Sequence, residues 1–448
     1  MKIQSDIQRK IKLNSSSHTK KVGVMLSLLF MGLGQLYHKQ IVKGILFITL
    51  EIYLIVFWTL PFRWAMWGLT TLGDTPLTRK GFDVVQGDHS IFLMIEGIIF
   101  LILFLLFVWL YCLNILDAYK VGKLRDQGID ANSFKQTALY VWEKGFPYLL
   151  LTPSILFTAF LTILPLLFGA LIAFTNYSGP NHLPPKSLVN WVGIQTFTDL
   201  FQLSMWSHTF YGVFSWTVIW AILSTVTTFF LGLFFAILIN RKGIRFKRFW
   251  RGIFILPWAI PAFVTILIMR NLFNGEFGPL NQYLQAIGLH AIPWLSDPVW
   301  AKITLVTVNM WIGFPFWMVL MSGVMTSIDK EIYEAADVDG ATPLQRFWKI
   351  TMPLIMFSTA PLFIMSFAGN FNNFNIIYLL TQGKPVNDTY SYAGSTDILI
   401  SWIYKMTLEQ NQFAMASVVS ILIFIVIAAL SVWNFRKTKA FKEEDLMS

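Results

Sequence analysis

Eight long apolar stretches constrain this chain more than any other feature: Ile45–Phe62, Ile91–Leu113, Phe146–Phe174, Tyr211–Ile239, Gly252–Phe273, Ala301–Met325, Leu354–Leu380 and Phe413–Trp433. A helix needs about 20 apolar residues to cross the ~30 Å hydrocarbon core of a bilayer. Backbone N–H and C=O groups in lipid must be satisfied within the segment, so long apolar runs of this kind cross as helices. The composition agrees, with 55% hydrophobic and only 13% charged residues, against roughly 25% charged in a soluble domain. The expected fold class is therefore all-α, a polytopic membrane protein with about eight transmembrane helices. A ninth stretch, Val22–Leu36, is shorter and is interrupted by Gly32, Gly34 and Gln35. It reads as an interfacial or re-entrant segment.

The net charge of +10 is explained by topology and gives no reason to invoke nucleic acid. With eight spans and the N-terminus inside, the inner segments hold most of the cations: Lys2 to Lys43, Lys120 to Lys144, Arg241 to Arg251, and Arg436 to Lys442. Outer loops hold few, among them Arg63, Arg79, Lys80, Lys186, Lys384 and Lys405. This is a positive-inside pattern, with both termini expected in the cytoplasm. The basic N-terminus lacks a small-residue cleavage site and reads as a tail, not a removed signal. The single cysteine, Cys112, lies in an apolar run and excludes an internal disulfide.

One inner connection is more than a turn. Glu334–Pro353 reads EAADVDGATPLQRFWKITMP. It has a helix-forming start, an Asp339-Gly340 break, and Thr342-Pro343 to cap and open a second helix. That second helix carries Leu344, Phe347, Trp348 and Ile350 among polar residues, as a docking helix would. Glu331, Glu334, Asp337 and Asp339 offer a negative face to a basic rim. The bland alternative is a connector folded back on the protein itself. Asp/Glu/His clusters at catalytic or metal-ligand spacing are not evident, and no G-x-x-x-x-G-K-[ST] phosphate loop is present.

The span after this segment contains SFAGNFNNFN. Ser366, Asn370 and Asn373 recur at spacings of four and three, which is one face of a continuous helix. Amides in hydrocarbon are costly unless they face protein or water. Amide and hydroxyl groups both donate and accept, which suits sugar hydroxyls. Interhelical glue is the competing role.

The spacing of the inner segment resembles the EAA loop of importer-type ABC transporter permeases: E-A-A, three residues, G, nine residues, I, one residue, L-P. Here it is Glu334-Ala335-Ala336, Gly340, Ile350 and Met352-Pro353, and only Met352 departs. The resemblance implies that Glu334, Ala335, Ala336, Asp337, Gly340, Ile350 and Pro353 couple the chain to a separate ATPase. ATP-Mg would then be used by that partner, with no cofactor bound here and no catalysis in this chain. The Asn-rich span is similar to permeases of the maltose/maltodextrin type, in particular their larger permease partner. That likeness extends to Trp311-Ile312-Gly313-Phe314-Pro315-Phe316 and Leu256-Pro257-Trp258-Ala259-Ile260-Pro261-Ala262. It implies an oligosaccharide site lined by Trp258, Ala262, Ile312, Gly313, Phe316, Ser366, Asn370 and Asn373. Ala262 lacks a hydroxyl that the family has, and Phe316 lacks a tyrosine hydroxyl.

The implied organisation is a six-helix permease core over 146–435 with the coupling loop at 329–353. Before it come a basic tail, the short segment and two extra helices over 1–145; after it comes a cytoplasmic tail, 436–448. Implied partners are a second permease subunit, two ATPase subunits, an extracellular sugar-binding protein, the oligosaccharide and the bilayer of a bacterial plasma membrane, with no nucleic acid. A galacto-oligosaccharide, raffinose-type or glycerol phosphate permease is the nearest alternative. An autonomous secondary transporter would need charges in its core. Glu51 and Glu96 fall in the extra helices, whereas Arg270 and Lys302 sit near outer ends, where they can snorkel.

Overall fold

A computed structural model describes residues 19–435, apart from 81–82, 128–134, 137–138, 140–141, 144, 184–185 and 242. The two tails and much of the basic loop before Phe146 lie outside the described residues. Among those described, seven helices are long and apolar enough to cross a membrane, and a sharply bent pair makes an eighth. The chain is otherwise short helices and loops, with one small antiparallel ribbon pairing Thr78–Lys80 with Asp83–Val85. Two compact units divide at Val192/Gly193.

In the first unit, the Val22–Leu36 stretch is a helical hairpin. Helix α1 covers 19–29 and α2 covers Leu33–Tyr37. At 1.5 Å per residue the described part of α1 is about 16 Å long, roughly half the hydrocarbon thickness. Gly32 makes the turn at φ 85°, where a Cβ would meet the Gly44 carbonyl oxygen at 2.2 Å. The Met31 N–H at the tip of the hairpin donates to the Glu51 carboxylate. Glu51 therefore holds the hairpin on α3 (Ile41–Thr71). Helix α3 packs on α4 (Ser90–Asp126), and α5 (Phe146–Ile172) follows.

The second unit holds α6 (Gln195–Gln202), α7 (Ser204–Asn240), α8 (Lys247–Ala259), α9 (Ala262–Leu272), α10 (Pro279–Ala286), α11 (Pro298–Ser327), α12 (Lys330–Val338), α13 (Pro343–Phe371), α14 (Phe374–Leu380), α15 (Leu399–Tyr404) and α16 (Phe413–Phe435). Its centre is the parallel pair α7 and α11. Trp216 meets Lys302, Thr228 meets Gly313, and Gly232 meets Trp317 in sequence along the pair. Lys302 places its ammonium 4.6 Å from the Trp216 ring centroid, a cation–π contact in place of simple snorkelling. Two aromatic-aliphatic layers fill the interior. One is built on Trp216, Trp220, Leu305, Val308 and Ile377; the other on Phe229, Leu233, Phe314, Trp317 and Ile355.

Two expected spans are not continuous. The stretch Gly252–Phe273 bends by 89° between α8 and α9. Pro261 lacks an N–H and disfavours helical backbone at the residue before it, and Ile260 is extended (φ −85°, ψ 136°). The stretch Leu354–Leu380 stops at Phe371, and Asn372 and Asn373 carry the break before α14. Asparagine side chains compete for backbone hydrogen bonds, which disfavours helix interiors. At its other end this helix starts earlier than expected, at Pro343, so the docking helix and the span are one rod.

Lipid tails are as apolar as leucine, so close packing, more than burial, selects helix partners in a bilayer. Gly232 is the tightest point of the α7/α11 pair, since a Cβ there would lie 2.4 Å from the Trp317 Cβ. Gly232→Ala is expected to lower stability by about 1–3 kcal/mol through overpacking. A lowered midpoint in thermal unfolding of the detergent-solubilised chain checks this, whereas Gly252→Ala, a helical position with open space around it, should not lower it.

Candidate functional site

The segment between α11 and α13 is a built object with an exposed face. Helix α12 ends at Val338 with Asp339 as its C-cap, and Gly340 turns the chain at φ 71°, in the left-handed region that glycine enters without steric cost. Thr342 and Gln345 form a reciprocal capping box, with Pro343 in the first turn of α13. Two contacts close the corner. Arg346 pairs with Asp337, and the Tyr333 hydroxyl lies 2.9 Å from Thr351 Oγ1. Asp337 is thus engaged within the chain, and the negative face is carried by the exposed Glu331, Glu334 and Asp339.

A π-turn over Phe347–Thr351 sorts the apolar residues. Phe347 and Met352 pack into the layer containing Phe229 and Trp317, and Ile350 is half-buried. Leu344 and Trp348 point away, 68% and 56% exposed, and Val338 is 88% exposed. Leu344 and Trp348 are four apart on one helical face, which is the spacing of anchors that enter a groove. Ala335 is exposed and Ala336 half-buried on α12, and Pro353 is exposed farther along α13, past the π-turn.

The second group of residues lies where α7, α11 and the α13/α14 break meet. Asn370 is buried: its Nδ2 donates to Thr225 Oγ1 at 3.0 Å, and its carbonyl accepts the Trp220 indole N–H at 2.9 Å. Asn373 is not on the Ser366/Asn370 face, because the helix has ended. It sits in the break and its Nδ2 lies 3.5 Å from Asn309 Oδ1 on α11. Ser366 is half-buried one turn before Asn370. On α11, Ile312 packs on the Trp216 layer, Gly313 lets Thr228 approach, and Phe316 is exposed. Trp258 ends α8 with its ring 6.3 Å from that of Phe316. Ala262 is exposed at the start of α9, across the Pro261 elbow.

The structure thus joins Trp258 to Phe316, Asn373 to α11 and Asn370 to α7. It assigns Asn370 a helix-linking bond that spacing alone left open. It adds Thr225, Thr228 and Asn309, which were not singled out from the sequence. Their signal was available: Thr217, Ser224, Thr225 and Thr228 form a hydroxyl stripe at helical spacing within an otherwise apolar span. Ser224 and Thr265 have buried hydroxyls with no hydrogen-bond partner among the described residues. Thr265 lies one turn along α9 from Ala262.

Residues 228–440 match the family described as binding-protein-dependent transport system inner membrane component. Over 426 residues the chain is 42% identical to the galactooligosaccharides transport system permease protein GanP of Bacillus subtilis (strain 168), covering 95% of this chain and 99% of that one. It is 40% identical to the maltodextrin transport system permease protein MdxF of the same organism, covering 93% and 95%. Among solved structures, a bacterial ABC transporter involved in the import of the acidic polysaccharide alginate shares the fold, with a TM-score of 0.56 at 23% identity over 67% of this chain and 97% of that one.

Removing the Asn370 amide takes away the donor to Thr225, while the Asn370 carbonyl still accepts the Trp220 indole N–H. Asn370→Ala is expected to cost about 1–3 kcal/mol, read as a lower unfolding midpoint in detergent, whereas Ser366→Ala leaves the midpoint unchanged.

Proposed function

The chain belongs to the binding-protein-dependent transport system inner membrane component family, and on that premise we propose that it is a membrane subunit of an ABC importer for a maltodextrin-like oligosaccharide. Its partners are a second permease subunit, two ATPase subunits that use ATP-Mg, and an extracellular sugar-binding protein. It sits in a bacterial plasma membrane with both termini in the cytoplasm, as the positive-inside pattern supports. The chain itself catalyses nothing.

The observation that carries this proposal is the segment 330–353. It is capped at Thr342, closed by Asp337–Arg346 and seated on the core through Phe347. It still exposes Leu344, Trp348 and Val338 to a partner. In the proposed cycle the sugar-binding protein delivers cargo from outside. Closure of the ATPases moves this segment, and α13 carries the motion to the Asn370–Asn373 break. The helices around that break then expose the sugar site alternately to each side. Trp258, Phe316 and Ile312 offer apolar faces to sugar rings. Ala262 and Gly313 leave room, and Ser366, Asn370 and Asn373 supply donors and acceptors. Thr265 provides a hydroxyl close to Ala262.

A galactooligosaccharide is the second reading, supported by the 42% identity to GanP across 99% of that protein.

Sugar-stimulated ATPase activity of the reconstituted importer, measured across maltodextrins and galactooligosaccharides, tests the reading. Gly340→Val puts a β-branched residue at φ 71°. Its expected effect is a loss of about 5–150-fold in that stimulation, the usual span of coupling energies, and loss of the ATPase on co-purification. Transport of sugar into liposomes by this chain alone, without ATP, would refute the proposal.

A further inference from the structure

Beyond the residues around the α13/α14 break, the second unit contains a separate cavity of about 450 Å³. That is within the range of roughly 300–1,000 Å³ typical of small-molecule sites. It lies between the 381–398 loop and the π-turn Lys405–Glu409 that follows α15. The loop follows α14, which packs beside the start of α11, whereas the coupling segment follows the end of α11. The cavity therefore opens at the end of the unit opposite the coupling segment, the face that the loop charges assign to the outside.

Its lining has the chemistry of a carbohydrate site. The rings of Tyr390 and Tyr392 and the edge of Tyr378, which stacks on Phe374, line it, and Gln382, Asn387 and Gln410 provide carboxamides. The Asn387 Oδ1 is held by the Thr389 N–H and hydroxyl at 3.1 and 2.7 Å, which leaves its Nδ2 as a donor. The charges nearly cancel. The Lys405 Nζ is 2.6 Å from the buried Asp397 carboxylate, and Lys384 and Glu409 are of opposite sign. A near-neutral lining of tyrosines and amides favours a neutral polyhydroxyl ligand over an ion.

The cavity is also pre-formed. The loop closes on itself through Ser395 N to Pro385 O at 2.8 Å and the Val386–Gly394 bridge. It is tied to α7 by Trp216 Nε1 to Thr396 O at 3.2 Å and by Ser391 N to Thr209 Oγ1 at 2.8 Å. Two lining residues, Gln382 (φ 57°) and Tyr392 (φ 60°), are held in the left-handed region without being glycine. Such backbone strain in bulky residues persists where the side chain itself is needed, and it gathers at ligand clamps.

We propose that this cavity is a second oligosaccharide subsite, which holds a neutral sugar at the outer face before it reaches the site around Asn373. The proposal rests on the oligosaccharide reading of the preceding subsection.

Equilibrium binding of radiolabelled maltotetraose and of a β-linked galactotetraose to the full chain, assembled with its membrane partners in nanodiscs, tests it. Two classes of site per chain are expected for one of these probes. Tyr392→Ala and Gln410→Ala should each weaken one class about tenfold, the scale of losing one well-packed contact. Tyr392→Phe should retain it, and Tyr392→Phe and Gln410→Ala should keep the unfolding midpoint of the parent. Asn373→Ala should affect the other class alone. A single class insensitive to Tyr392 and Gln410, with ATP-driven transport intact, overturns the subsite and leaves the importer standing. Unchanged sugar binding with lost capture of the sugar-binding protein also overturns it, because the cavity is then a protein contact. Absence of binding and of ATP-driven transport for every sugar tested removes the oligosaccharide reading and the subsite together.

Discussion

In hydrocarbon an amide or hydroxyl without a partner costs a few kcal/mol, and this cost organises the second unit. Its spans are apolar on nearly all faces, so hydropathy says little about which helices touch. The polar groups and the glycines decide it. Thr225 on α7 accepts the Asn370 amide, and Asn309 on α11 meets Asn373. Gly232 and Gly313 bring α7 and α11 close enough for those bonds to form around them. The Asn372–Asn373 break is part of this polar layer, and α9, which follows the Ile260–Pro261 break, packs on α14 just beyond it. Irregular backbone at membrane depth is tolerated where it is buried in protein or lines a watery cavity.

The polar layer and the proposed coupling surface belong to one element. Helix α13 runs from Pro343 to Phe371, about 43 Å at 1.5 Å per residue. Leu344 and Trp348 are exposed on its first turns, and Asn370 is bonded to α7 in its last. Between them Phe347 and Met352 lock the rod against Phe229 and Trp317. A push on the first turns reaches the break through one helix, interrupted by Pro361, whose missing N–H removes a helical hydrogen bond, and by the π-turn at Phe347–Thr351. Such turns are frequent at functional sites because they add a residue where helices must slide.

The number and type of spans were legible in the sequence because lipid imposes a simple test of length and polarity. The breaks were harder to read. Pro261 was visible, yet an apolar window averages across it, and the 89° bend depends on what packs against α8 and α9. Spacing places Asn373 on one face with Ser366 and Asn370 if the helix is unbroken, but the crowded asparagines end that helix two residues earlier, at Phe371. The coupling segment was legible as a folded object from Thr342-Pro343 and Asp339-Gly340. The Asp337–Arg346 pair was not, because it forms only once Gly340 has turned α12 back on α13. Thr225 and Asn309 are isolated polar residues in apolar spans, and their meaning lies in the partner across the interface.

The central claim is that Leu344 and Trp348 are the surface through which a partner's ATP cycle enters this chain. Single cysteines at 344, 347, 348 and 350, each introduced into a Cys112→Ala background and cross-linked in the assembled importer, test it most directly. Adducts with the ATPase subunit are expected from Leu344→Cys and Trp348→Cys and should change with ATP, with few from Phe347→Cys, which packs into the chain's own core, and fewer from the half-buried Ile350→Cys than from the exposed pair. Equal labelling at all four positions, or none at 344 and 348, would contradict it.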